Sequence, residues 1–189
     1  DPATGKPLLT WNPVSGANKY EIYWTVTDDP YNYKKLTTTT KTSYLHEKAP
    51  ITDSSQYKVR AVGAKSDYTS PFTEILWGRA ICAQPAVTAK TDPGSGRPSL
   101  SWKKVDSAVG YRIMRQLPGE EDFTVLAEQT ALTFLDTNAP IDTCCIYILQ
   151  TIGASASLDS YPTKEITVNS GIAQPKLTGT IDADGKPSF

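Results

Sequence analysis

"GKPLLTWNPVSGANKYEIYW" runs from Gly5 to Trp24, and "GRPSLSWKKVDSAVGYRIMR" runs from Gly96 to Arg115. Laid over one another, they share Gly, Pro, Leu, Trp, Val, Tyr and Ile. Trp11 and Trp102 are 91 positions apart, as are Tyr20 and Tyr111. After a one-residue gap the offset becomes 90: Leu36 lies over Leu126, "YLHEKAPI" (44–51) over "FLDTNAPI" (134–141), and Tyr57 and Gly63 over Tyr147 and Gly153. "AQP" at Ala83 recurs at Ala173, and "GRP" at Gly96 recurs as "GKP" at Gly185. A fixed period marks a supersecondary unit used more than once. The unit of about 90 residues is present twice and a third copy begins. Asp1-Pro2 lies over Asp92-Pro93, so the first copy lacks a partner for 83–91. The expected organisation is a module over 1–80 without its first strand, a full module over 81–171, and the start of a third over 172–189. The chain reads as an excerpt of a longer array.

Within each copy the pattern is that of short strands between turns. Fourteen Pro, twelve Gly and many Ser and Thr punctuate the chain, which favours turns over long elements. Strands are expected near Leu8–Trp11, Lys19–Thr25, Tyr33–Thr38, Ser43–His46, Gln56–Val62 and Phe72–Leu76. In "YKVRAV", Tyr57, Val59 and Ala61 alternate with Lys58 and Arg60. Period 2 with one apolar face describes a sheet that buries one side. No stretch keeps a helical period for three turns. The fold class is therefore all-β, two sandwiches in tandem.

These residues carry a resemblance. A Trp on the second strand (Trp11, Trp102), a Tyr opening the third (Tyr20, Tyr111) and Tyr-x-Val-x-Ala-Val on the sixth (Tyr57 to Val62) resemble a fibronectin type III module. The second copy loosens the last of these to "YILQTIGASASLDSYP", which keeps Tyr147, Leu149, Gly153 and Pro162. An antibody-type domain would place paired Cys on the second and sixth strands and its Trp on the third. Here the Trp is on the second strand, and that strand has no Cys. The resemblance implies that Trp11, Tyr20, Tyr57, Trp102, Tyr111 and Tyr147 are structural. It further implies a tyrosine corner at Tyr57 and Tyr147, each hydroxyl bonded to backbone a few residues earlier. The repeat is similar in style to tandem modules of secreted and wall-associated Gram-positive bacterial proteins, which implies an extracellular or cell wall setting.

Composition narrows function further. The formal charge is −1 and no basic cluster stands out, so electrostatic capture of nucleic acid is not expected. No apolar run reaches the length of a membrane span. Cys82, Cys144 and Cys145 form no C-x-x-C pair, so neither zinc nor a redox motif is indicated. Free thiols are expected, or Cys82 pairing between chains. The only histidine, His46, reads as an ordinary exposed strand end, because Asp136 holds the same place in the second copy. Glu120, Glu121 and Asp122 read as a solvated hairpin turn. "DADG" at Asp182 lacks the distal Glu of a calcium loop. No catalytic residue, metal or cofactor is expected.

Two functional readings follow. One is a non-catalytic spacer array in an extracellular or cell-surface multidomain protein. The other is an adhesion module that binds a glycan or a cell-surface protein through exposed aromatics of module one. Trp24, Tyr31 and Tyr68 are the candidates, since Trp24 is matched by Arg115 in module two. A spacer should leave Trp24 and Tyr31 buried or scattered, whereas a binder should gather them on one exposed patch. The missing first strand leaves Leu8–Trp11 as a bare edge. The tail Gln174–Thr180 is expected to pair with that edge in another copy.

Overall fold

In a computed structural model of the chain, described at all positions except 27, 28, 30, 52, 53, 66, 177, 179, 182–186 and 189, every regular element but one is a strand. Module one contains β1 (Leu8–Thr10), β2 (Lys19–Val26), β3 (Lys34–Thr39), β4 (Ser43–Leu45), β5 (Ser54–Val62) and β6 (Leu76–Arg79). Module two contains β7 (Val87–Thr91), β8 (Pro98–Trp102), β9 (Gly110–Gln116), β10 (Thr124–Gln129), β11 (Thr133–Leu135), β12 (Cys144–Ile152) and β13 (Ile166–Asn169), with a 3-10 turn at Ala156–Leu158. The tail supplies β14 (Thr180–Ile181) and β15 (Pro187–Ser188), which pair with each other. Asp182–Gly185, the acidic "DADG" stretch, lies outside the described residues. Among the described residues, no helix is long and apolar enough to cross a membrane.

Module two is a complete sandwich of one sheet ordered β10-β9-β12-β13 on another ordered β11-β8-β7. Module one repeats the four-stranded sheet as β3-β2-β5-β6, and its second sheet is the pair β1-β4. All described pairings are antiparallel. The alternation seen in the sequence sets the core. Tyr111, Ile113, Cys145, Tyr147, Leu149 and Val168 point in from the larger sheet and meet Leu100 and Trp102 from the smaller. Tyr20, Ile22, Tyr57, Val59 and Ala61 do the same in module one, against Leu9. The sequence-matched Leu36 and Leu126 each fall at a register shift, between Thr37 and Lys35 on β3 and between Val125 and Ala127 on β10. Such a bulge lets one extra residue turn into the core.

Two expectations are corrected. The last strand of module one is Leu76–Arg79, not Phe72–Leu76. The segment before it still follows β5: Ser70 and Thr73 donate their N–H groups to the carbonyls of Ala61 and Val59 at 2.9 and 2.8 Å. The return bonds come from hydroxyls, with Ser70 Oγ and Thr73 Oγ1 accepting from the Ala61 and Val59 N–H groups at 2.9 and 3.1 Å. A strand ladder needs backbone on both sides, and Pro71 has no N–H to give. Module two repeats this at Ser160 and Thr163, which accept from Thr151 and Leu149.

The tyrosine corner also falls elsewhere. Tyr20 Oη and Tyr111 Oη accept from the N–H groups of Val14 and Val105 at 2.8 and 2.9 Å, six residues earlier in each case. They tie the β1–β2 and β8–β9 connections to the sheet. Tyr57 and Tyr147 point inward on central strands, away from those backbones, and their hydroxyls meet side chains.

Candidate functional site

Tyr57 and Tyr147 each close a three-residue polar cluster in the core. The residue after β4 or β11 turns inward because its N–H bonds back across the smaller sheet: His46 to the Pro7 carbonyl at 3.0 Å and Asp136 to the Pro98 carbonyl at 2.9 Å. Tyr57 Oη then lies 2.9 Å from His46 Nδ1, and Tyr147 Oη donates to Asp136 Oδ2 at 2.7 Å. The third member is the cross-strand neighbour of the tyrosine, Trp24 on β2 or Arg115 on β9. Trp24 packs edge-on against the His46 ring at 5.2 Å, while Arg115 Nη1 bonds Asp136 Oδ2 at 2.8 Å. One slot thus holds an aromatic cluster in module one and an ion pair in module two.

This corrects the reading of His46 as an exposed strand end: His46 and Asp136 are 4% and 2% exposed. Burial, helped by the positive Lys6, holds the His46 imidazole below its ordinary pKa. Burial likewise pushes the Tyr57 hydroxyl up to about 12 and raises Tyr147 further, with Asp136 adding to it. Burial thus favours the neutral imidazole and the neutral phenol in this cluster.

Three residues were expected to bind ligand, and the structure separates them. Trp24 faces the core beside His46, with its indole nitrogen buried. Tyr31 is 96% exposed in the β2–β3 connection, beyond the end of β2. Tyr68 is 67% exposed in the loop after β5, near the start of β2, at the opposite end of the same sheet. They share no patch.

A different group of side chains gathers on the outer face of that sheet. Tyr23 stands opposite Lys58, and Glu21 opposite Arg60, in the β2–β5 register. Tyr23 and Phe72 meet edge-to-face at 5.0 Å. Lys58 Nζ lies over the Tyr33 ring at 3.8 Å and over Phe72 at 4.5 Å. The Arg60 guanidinium lies 5.0 Å from the Phe72 ring and 5.6 Å from Tyr23. Glu21 takes both Lys35, at 2.5 Å, and Arg60, at 2.7 Å. The hydrogen bond from Lys35 is the largest of the effects that hold the Glu21 carboxyl below its ordinary pKa. Tyr33 is half-buried on this face with its hydroxyl on Gln56 Oε1 at 2.7 Å. In module two the matching positions are Met114, Ile148, Gln150, Pro162 and Phe123, so the charged aromatic face belongs to module one. The alternation of Lys58 and Arg60 with core residues was the available signal, since it assigns both to the outer face.

The link between the modules is a third built feature. Ala80, Ile81 and Cys82 are buried. Ile81 donates its N–H to the Gly5 carbonyl of module one at 2.9 Å, and Cys82 donates to the Leu158 carbonyl of module two at 2.9 Å. The Cys82 thiol contacts the Ser107 carbonyl at 3.6 Å, so this cysteine is enclosed and unsuited to pairing between chains. All three cysteines are free thiols. Gly5 has φ +68°, and a Cβ there would overlap the Ile81 carbonyl. Lys6 then ties to the Ala49 carbonyl at 2.6 Å. Module two repeats the arrangement with Gly96 at φ +69°, the Gly171 N–H on the Gly96 carbonyl at 2.8 Å, and Arg97 on the Ala139 carbonyl. The repeated Gly-Lys/Arg-Pro is therefore a crossing point, where the exit of each module passes over its entry turn.

No protein-family model matches the chain, and no curated protein matches it either. Solved structures do. The chicken interferon gamma receptor alpha chain is 10% identical with a TM-score of 0.59, over 89% of this chain and 94% of that one. A two-domain fibronectin type III segment of chicken tenascin is 13% identical with a TM-score of 0.45, over 89% and 94%. The FN1–FN3 domains of chicken CNTN1 are 19% identical with a TM-score of 0.41; the match takes in 89% of this chain but only 64% of that one. The fold is that of two fibronectin type III-like sandwiches in tandem.

Proposed function

We propose that the chain is a non-catalytic spacer, a stiff segment of a tandem array within an extracellular or cell-surface multidomain protein. The observation that carries this reading is the connector. Its buried residues 80–82 are hydrogen-bonded to module one on one side and module two on the other. Inter-domain motion is the default unless an interface restrains it. Here consecutive residues are each fixed to a different sandwich, so only the two backbone torsions of Ile81 lie between the two anchors. The scattering of Trp24, Tyr31 and Tyr68 also favours the spacer over adhesion through those residues. The bacterial, secreted or wall-associated setting rests on the style of the repeat. His46 has no part in catalysis on this reading, because it is enclosed by Trp24, Tyr44 and Tyr57.

Small-angle scattering tests it. The native chain should fit one conformation, and inserting a short Gly-Ser stretch between Ile81 and Cys82 should broaden the distribution of sizes. If the native chain already needs a broad ensemble, the spacer reading fails.

A further inference from the structure

We infer that the outer face of the module-one sheet is a recognition surface for an extended acidic protein segment. Lys35, Lys58 and Arg60 share this face with the carboxylate of Glu21, which serves Lys35 and Arg60 together. Lys58 has no carboxylate within ion-pair distance among the described residues; it rests on Tyr33 and Phe72 instead. A lysine side chain normally gives up much rotamer freedom to bind anything. The rings have already fixed this one, so a partner finds its cation in place.

The rings also decide what kind of partner fits. Sugars stack on open aromatic faces. Here Lys58 covers Tyr33 and Phe72, and Arg60 lies near Phe72 and Tyr23. What this cluster offers is its positive groups, and those select carboxylates.

Spacing adds shape. Lys58 and Arg60 are two residues apart on β5 and on the same face. Alternate residues of an extended chain are about 6.7 Å apart. An extended segment with acidic side chains at every second position therefore matches them in step. Trp77, 58% exposed and opposite Gln56 on β6, gives an apolar wall at the margin of the surface. Module two has none of these cations at the matching positions, where Val125, Ile148 and Gln150 stand, so it serves as an internal control.

The test uses the full chain and three probes: a peptide of alternating Glu and Thr, the same peptide with Lys for Glu, and an oligogalacturonate as a carboxylated sugar. Binding is followed by amide chemical shifts and by fluorescence anisotropy at two salt concentrations. The acidic peptide should perturb Glu21, Tyr23, Lys58, Arg60 and Phe72, and should weaken as salt rises. Lys58→Ala should weaken it by about fivefold or more, whereas Lys103→Ala on module two should leave it unchanged. Unaltered resonances elsewhere show that the variants are folded. The inference is overturned if the acidic peptide does not bind, if Lys58→Ala binds as tightly as the native chain, if the basic peptide binds equally well, or if the oligogalacturonate binds more tightly than the peptide.

Discussion

Asp136 and His46 occupy one position of the repeat, and each has drawn a different third partner. In module two Asp136 holds both Tyr147 and Arg115. Removing one member of a buried pair strands the other, at a cost of about 3–5 kcal/mol. Arg115→Ala should therefore destabilise module two by that amount in denaturant melts. The double change of Arg115→Trp with Asp136→His recreates the module-one cluster and should recover a large part of the loss. In module one the consequence is a dependence on pH. The folded state holds the His46 pKa below the ordinary 6.5, so the unfolded chain binds more protons as the medium turns acid. Stability is complete above about pH 6.5 and falls as pH drops toward the folded value. Thermal melts between about pH 7.5 and pH 5 should show module one losing stability, and His46→Gln should remove that part of the slope. The resemblance to a fibronectin type III module implied that Trp11, Tyr20, Tyr57 and their repeats are framework. It did not show His46 and Asp136 as buried, because their burial comes from a backbone bond to Pro7 or Pro98 across the sheet. Trp24 was misread for the same reason: its partner is 22 positions away.

At the scale of the strand, the seam along β5 and β12 depends on hydroxyls. Ser160 Oγ and Thr163 Oγ1 satisfy the N–H groups of Thr151 and Leu149. Changing both to Ala leaves two backbone donors unpaired, both in fully buried residues, at about 1–3 kcal/mol each. Urea melts should show module two falling by a few kcal/mol with m unchanged. The positions of most strands were legible from alternation and turns, but the late start of β6 was not. Phe72 to Leu76 has strand-like composition, yet Pro71 interrupts the ladder and the hydroxyls take over its bonds. The edge of β1 is a further question at this scale. We propose that the segment 174–180 pairs with β1 of another copy. Since Thr180–Ile181 pairs with Pro187–Ser188, this would be an exchange of partners. The intact chain should associate in size-exclusion chromatography with light scattering, and a chain ending at Ser170 should be a monomer. Two monomers would end the proposal.

For the molecule as a whole, the repeat explains the connector. Gly5 and Gly96 share a positive φ and the same overlap with the exiting backbone, which is why Gly-Lys/Arg-Pro recurs. The period was plain in the sequence; its purpose required the path of residues 80–82. The charged aromatic face lies between these levels. Its residues were assigned to the outer side by alternation, but their convergence depends on Phe72, which reaches the sheet from an irregular segment. Through that connector the two sandwiches should move as one body. Residual dipolar couplings of the backbone amides test it most directly. Both modules of the native chain should share one alignment tensor, and Gly5→Ala, which pushes on the Ile81 carbonyl, should separate them into two. Distinct tensors in the native chain would contradict it.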